Sequence, residues 1–197
     1  MGDEMMPGID HLLEAILSGE DTRAEPAVSA LAATGGDDAV SVLAQRLPGT
    51  HTDGRWWIAR ALAVIQTPKS VELLIRLMDD PAGDVRACAA MALGELGAAD
   101  GADALAAHLT DESAHVGELC TVALSRIGAA AVPALLRALQ EGGALARIRA
   151  AKALVPIESQ ETIPALFHAL DDENAVVTYY AQDALERMGV GMVLLKP

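Results

Sequence analysis

Hydrophobic positions along this chain return with a period close to thirty residues. An Ala-Leu pair recurs at Ala30-Leu31, Ala61-Leu62, Ala92-Leu93, Ala123-Leu124, Ala153-Leu154 and Ala184-Leu185, so successive leucines lie 31, 31, 31, 30 and 31 residues apart. A fixed period of this size marks repeated supersecondary units. Each period holds two helical patterns. In the first, the outer helix, Val85, Val116 and Val177 stand eight residues before the leucine. Ile58, Ala89, Cys120, Ala150 and Ala181 stand four before it, and Ile65, Leu96, Ile127, Ile157 and Met188 three after it. These offsets draw one apolar stripe along one face of a helix, and its small Ala and Cys members let neighbouring helices approach closely. Gly35, Gly97, Gly128 and Gly189 follow the leucine by four, where a left-handed C-terminal cap favours glycine; Gln66 and Glu158 hold that place in the other two copies.

The second, inner helix has its own ladder. Ile9, Val40, Val71, Ala102, Val132 and Ile163 open it, and Leu12, Leu43, Leu74, Leu105, Leu135 and Leu166 follow three residues on. Ile16, Leu47, Met78, Leu109, Leu139 and Leu170 stand four further, so steps of three and four again define one face. Pro133 and Pro164 fall in the opening turn, where a missing amide does little harm. Acidic clusters at Asp79-Asp80, Asp111-Glu112 and Asp171-Asp172 come before the next outer helix, placed to cap its free amides and oppose its dipole. The pattern predicts about 12 helices in one domain, 1–197. It comprises an N-terminal capping helix over 8–18, five outer-inner pairs over 19–171, and a last outer helix with an apolar tail over 172–197. Such pairs stack into an all-α solenoid in which each unit buries its stripe against its neighbours. The single 30-residue step is expected in a loop between Leu124 and Leu154. Residues 190–197 are read either as a strap across the final helix or as a contact with a second copy, a possible homodimer through the tail.

Composition narrows the function. The chain is 52% hydrophobic yet has only two Trp, two Tyr and one Phe, so alanine and leucine supply the apolar content, as closely packed helices require. Its 14 basic and 28 acidic residues give a formal charge of -14, a field that repels a phosphate backbone, so no nucleic-acid partner is expected. No run approaches 18 uninterrupted apolar residues, and the first residues show neither a signal peptide nor the hydroxyl residue of a myristoylation site, Met6 standing there. With only Cys88 and Cys120, the expectation is a cytoplasmic protein with reduced thiols and no membrane partner.

Residues 79–109 carry the most regular copy, with Asp80-Pro81, Val85-Arg86, Ala89-Ala90, Ala92-Leu93-Gly94, Leu96-Gly97 and the Leu105/Leu109 ladder. This pattern resembles the short HEAT-like repeats of phycobilin lyases and many bacterial proteins. The resemblance covers nearly the whole chain and implies a right-handed α-α superhelix, armadillo-like in kind. It implies much less about activity, because such repeats serve as protein-binding scaffolds, assembly factors and, in fewer cases, enzymes. Enzymes resembling deoxyhypusine hydroxylase hold a diiron centre with His-Glu pairs at the starts of outer helices. Those places here read Arg55-Trp56, Arg86-Ala87, Gly117-Glu118, Arg147-Ile148 and Thr178-Tyr179, and no His-Glu dipeptide occurs. No metal, cofactor or catalytic residue is therefore expected, and a buried thiol such as Cys120 is expected to be inert.

What remains is surface. In such solenoids the inner helices line a concave groove, and the candidate positions are those flanking the ladder leucine: Gln45, Arg46, Glu72, Arg76, Asp103, His108, Arg137 and His168. Trp56, between Arg55 and Arg60, is added as a hot-spot type of residue, with burial under the 48–54 loop as the alternative; Arg55, Arg86 and Arg147, at one repeat position, are expected to pair with loop acids such as Asp53 and Asp84. The leading expectation is a non-enzymatic scaffold or assembly factor that binds another protein along this groove. The alternative is a lyase-like protein handling a tetrapyrrole, with Arg137, Arg147 and Arg149 as the positive charges available to its propionates.

Overall fold

The computed structural model describes residues 8–34 and 36–190, with nothing assigned to the side chains of 32–34. The apolar tail expected to act as a strap or dimer contact, from Gly191 onward, and the cap position Gly35 lie outside the described residues. Among the described residues there are twelve α-helices and no strand. They begin with α1 (Ile9–Leu17), and then alternate outer and inner: α2 (Asp21–Thr34), α3 (Asp37–Arg46), α4 (Thr52–Ile65), α5 (Pro68–Leu77), α6 (Gly83–Glu95), α7 (Ala102–Ala107), α8 (Ala114–Ile127), α9 (Val132–Glu141), α10 (Ala144–Leu154), α11 (Ile163–Ala169) and α12 (Ala175–Arg187). The order is the predicted one: an opening inner helix, five pairs and a closing outer helix.

The chain divides into two compact units, parted between Leu96 and Gly97. In the first, the outer helices α2, α4 and α6 pack in series, and the inner helices α1, α3 and α5 lie alongside one another. In the second, α8, α10 and α12 form the outer row and α7, α9 and α11 the inner one. Each core is the predicted stripe. Leu31, Leu62, Leu93, Leu124, Leu154 and Leu185 are at most 1% exposed, as are Val85, Val116 and Val177. Burying one such leucine stabilises the fold by about 1.5–3 kcal/mol, so the ladder supplies the main cohesive force of each unit.

The outer helices from α4 onward close in left-handed turns. Gly97, Gly128 and Gly189 all have positive φ, and so do Gln66 (φ 56) and Glu158 (φ 48), the residues that replace glycine in the other two copies. The turn is imposed by the repeat, and the chain accepts the left-handed strain where the sequence lacks glycine. Gly128 also explains the short step. From Leu124 to the inner ladder Leu135 is eleven residues, against twelve from Leu62 to Leu74 and Leu93 to Leu105. The missing residue therefore belongs to the turn Gly128–Ala131, where Gly128 takes φ 73, ψ -135. The same turn interrupts the stretch Ala114–Glu141, which contains an 18-residue window of mean hydropathy 1.8, enough by length and composition for a membrane span. Here 44% of that window is buried within the fold, and the left-handed glycine divides it into α8 and α9.

Long side chains tie one repeat to the next. Arg55 donates from Nε and Nη2 to both carboxylate oxygens of Asp80 (2.7 and 3.0 Å) and from Nη1 to the Thr50 carbonyl (2.9 Å). Arg147 repeats this, with Asp172 at 2.8 and 3.1 Å and the Gly142 carbonyl at 3.3 Å. Each aspartate also accepts from the amide two residues on, Ala82 or Asn174, and so closes the loop that starts the next outer helix. The expected partners of these arginines were loop acids such as Asp53 and Asp84. Asp53 lies two residues from Arg55 on α4, but the planar guanidinium forks of Arg55 and Arg147 are instead satisfied bidentately by the aspartate 25 residues ahead.

The fourth outer helix departs from this rule. Arg55, Arg86 and Arg147 share one position, and α8 has Gly117 there. Arg86 donates to the carbonyls of Asp80 and Pro81 (2.7 and 3.3 Å). In α8 the equivalent space is filled from the next repeat by Arg149, whose guanidinium donates to the carbonyls of Leu109 and Ala114 and occupies the volume a Cβ at Gly117 would take. Arg86 and Arg149 are both buried. An arginine lost from one repeat is thus replaced by one reaching back from its neighbour.

Two stability measurements test these statements. Arg149→Ala removes the guanidinium that donates to the Leu109 and Ala114 carbonyls and fills the space beside Gly117, and should cost about 1–3 kcal/mol in urea unfolding. Gly117→Arg alone should also destabilise, by forcing Arg149 out, whereas the double variant should recover at least half of the Arg149→Ala loss; strictly additive losses would show that the two positions do not share one space. Separately, Gln66→Gly and Glu158→Gly should each raise stability by about 0.5–1 kcal/mol, by relieving positive φ; a fall in the thermal midpoint for both would contradict that reading.

Candidate functional site

The candidate residues fall on the inner helices, and the two units present them differently. In the first unit Gln45 and Arg46 are exposed at the end of α3, and Glu72 and Arg76 are exposed on α5. The two helices are linked across their exposed sides by Lys69 and Asp37, 3.4 Å apart. Four candidates therefore share a polar strip of mixed sign.

In the second unit the inner row is grooved. Between α7 and α9 lies a depression of about 450 Å³, floored by Ala106, Ala107, Ala134 and Ala138 and edged by Asp103, Arg137 and Glu141. Alanine explains its existence, because neighbouring helices with short side chains leave space that leucine would fill. Arg137 reaches across it to Asp103, an ion pair in which the two side chains keep 54% and 77% of their exposure. Asp103, Ala134 and Arg137 also line a smaller space of about 340 Å³ toward the starts of the same helices, so the ion pair stands between the two. Between α9 and α11 there is a second groove of about 630 Å³, with His168 and Gln140 on its walls and Asp171, Asp172 and Glu173 at its end. Arg147 lines it too, held by Asp172 and by Glu173 at 3.1 Å.

The remaining candidates lie elsewhere. His108 ends α7 with its Nδ1 2.9 Å from Asp111 Oδ2, in the loop leading to α8. Trp56 is half-buried and packs edge-to-face on Trp57, ring centroids 5.0 Å apart. Trp57 is buried and donates its indole N–H to Asp21 Oδ1 at 3.1 Å, so it fastens α4 to the start of α2. Of the tyrosines at the matching place in α12, Tyr179 projects outward with 64% exposure. The repeat pattern does not single out two of the groove residues, Glu141, six residues beyond the ladder Leu135, and Glu173. Of the acids after α11 expected as caps, Asp172 is one, but Asp171 faces the groove as well.

The electrostatics are structural in character. Burial pushes the Asp80 carboxyl up, but the hydrogen bonds from Arg55 and the Ala82 amide outweigh it, and the group sits below its ordinary value. Asp172 is likewise lowered, chiefly by the Arg147 guanidinium. Burial pushes the Cys88 thiol up to about 12, and its Sγ is 3.8 Å from the Trp56 carbonyl. At neutral pH that sulfur is a thiol, without the thiolate that nucleophilic chemistry uses. Cys120 is fully buried. Among the described residues, no three His, Cys, Asp or Glu side chains gather in a way that could hold a metal ion.

An all-α array of stacked helix pairs with a surface along its inner helices defines a helical repeat protein. Residues 40–125 match the family of HEAT repeats, so the repeats over that stretch are HEAT-like. Comparison with curated proteins finds no match. Among solved structures the chain is similar to three engineered proteins. The first is 24% identical, with 93% of this chain and 89% of that one covered and a TM-score of 0.51. The second is 25% identical over 90% of this chain, with a TM-score of 0.53; this chain spans 52% of its length. The third is 20% identical, with 95% and 99% covered and a TM-score of 0.52. These likenesses support the fold.

The lowered carboxyls set a pH dependence. A group whose value is lower in the folded state contributes stability above its unfolded value and loses it as pH falls through the folded one. Asp80→Asn should therefore cost about 1–3 kcal/mol at pH 7, since Asp80 is buried and bonded to a guanidinium. The gap from the wild type should narrow as pH drops below about 4, the ordinary carboxylate range. A gap that stays constant from pH 7 to pH 2.5 in denaturant titrations would contradict this account.

Proposed function

We propose that this chain is a non-enzymatic protein-binding scaffold or assembly factor, with its two units serving as one repeat domain and its inner-helix surface as the binding face. The observation that carries the reading is the pair of open grooves between α7, α9 and α11, where alanine replaces the larger side chains that would close them. Stacked helices offer an extended surface of this kind to a partner chain, and the candidate residues Asp103, Arg137 and His168 stand on it. The tetrapyrrole alternative fares less well. Its propionates need a cluster of available cations, but Arg147 is held by Asp172 and Glu173 and Arg149 is buried on backbone carbonyls, which leaves Arg137, in its exposed pair with Asp103, as the one of the three open to exchange.

Affinity capture from native lysate with quantitative mass spectrometry tests the reading. The bait is the wild type or a variant carrying Arg76→Glu, Arg137→Glu and His168→Glu. Recovery of specific partners is expected to change at least threefold between the two baits. Identical recovery counts against the inner face. Addition of bilin or haem is expected to leave the absorption band unshifted; a shifted band would favour the cofactor reading.

A further inference from the structure

The grooves of the second unit carry an excess of negative charge. Asp100, Asp103, Glu141, Asp171, Asp172 and Glu173 line them, against the basic Arg137 and Arg147. Both arginines already hold carboxylates of the groove edge, so the chain itself shows twice which chemistry these acids accept, a guanidinium. The two cases differ in a telling way. Arg147 is largely buried, is fastened to the Gly142 carbonyl as well as to Asp172, and belongs to the rung that joins repeats. Arg137 keeps half its exposure, pairs with an even more exposed Asp103, and spans the α7–α9 groove above its alanine floor. An ion pair so open to water is held weakly, and a competing base can displace it.

We propose that the α7–α9 groove takes an arginine or lysine side chain from an extended basic segment of a partner protein, and that Arg137 is an internal stand-in for it. The proposal rests on the groove reading above and adds the partner's chemistry and the contact that regulates access. The incoming aliphatic stem lies on Ala106, Ala134 and Ala138, and its charged head takes Asp103 from Arg137 and shares Glu141. A stem that buries its methylenes while its head stays wet suits a shallow apolar floor with an acidic edge. Arginine is favoured over lysine, because its planar fork matches a carboxylate with two bonds. Packed helices are about 8–10 Å apart, and a polyproline II segment advances about 3.1 Å per residue with three residues per turn, so residues three apart face the same side. Basic residues at that spacing would then meet the α7–α9 and α9–α11 grooves in turn, the second presenting Asp171 and Glu173.

The test is fluorescence anisotropy with a labelled twelve-residue peptide carrying arginine at every third position, with alanine and glutamine between. A peptide with glutamate in place of arginine is the control. Binding is measured to the intact chain and to Arg137→Ala, Asp103→Asn and Glu141→Gln, surface changes whose folding is checked by circular dichroism. The arginine peptide should bind and the glutamate peptide should not, with affinity falling as salt is added. Arg137→Ala should bind about two- to fivefold more tightly, the factor that release of an exposed ion pair provides, while Asp103→Asn and Glu141→Gln should each weaken binding. Weaker or unchanged binding to Arg137→Ala, or no effect of Asp103→Asn, overturns the proposal. The lysate capture separates the two ideas. A gain of partners by the glutamate-substituted bait agrees with a basic partner. A loss of partners overturns the basic chemistry and leaves the groove reading standing.

Discussion

Each helix pair in this chain carries more apolar surface than it can cover alone, and that shortage governs the rest of the structure. Leu62 on α4 is buried only because α2 and α6 lie on either side, and Leu154 on α10 only because of α8 and α12. At about 1.5–3 kcal/mol for each fully buried leucine, the ladder outweighs any single polar contact on the molecule. It also dictates composition. Ala89, Cys120, Ala150 and Ala181, one turn before the leucine, are fully buried where helices approach most closely, and a larger residue there would push the stack apart.

Apolar packing of this kind is non-directional, so the register between repeats needs directional contacts. The bidentate pairs Arg55–Asp80 and Arg147–Asp172 provide them, each joining an outer helix to the loop that begins the next one. Asp80 and Asp172 are held below the usual carboxylate range because the guanidinium and the loop amide both favour the charged form. Where α8 lacks the arginine, Arg149 supplies a guanidinium from the following repeat to the same region. The requirement is met from a different position, which argues that a guanidinium bridging carbonyls at the repeat junction, more than the identity of position 117, is what the fold demands.

These structural demands do not engage the exposed sides of the inner helices, and the proposed binding face lies there. The conspicuous residues of the repeats turn out to be occupied: Trp57 with Asp21, His108 with Asp111, Arg55 with Asp80. The irregular positions on α7, α9 and α11 line grooves instead, because alanine at Ala106, Ala134 and Ala138 leaves room above the helix backbones. In the proposed role, an acidic edge on a shallow apolar floor would discriminate by charge first and shape second.

The repeat period, read from the sequence by itself, determined the number and order of the helices, the buried leucines and the places where each outer helix ends. Those features depend on neighbours within four residues along one helix or on an identical residue one period away, and both relations are visible in a string of letters. It also placed Asp103, Arg137 and His168 on the inner row. Tertiary structure alone decided which partners the long side chains chose. Arg55 passes over Asp53 for Asp80, Arg149 reaches Leu109 forty residues upstream, and Arg137 crosses to Asp103 thirty-four residues away. The reason is physical: a guanidinium on a flexible stem selects its acceptor by direction and distance among everything within reach, and even the 25-residue step shared by Arg55–Asp80 and Arg147–Asp172 does not by itself mark those aspartates among the other acids nearby in sequence.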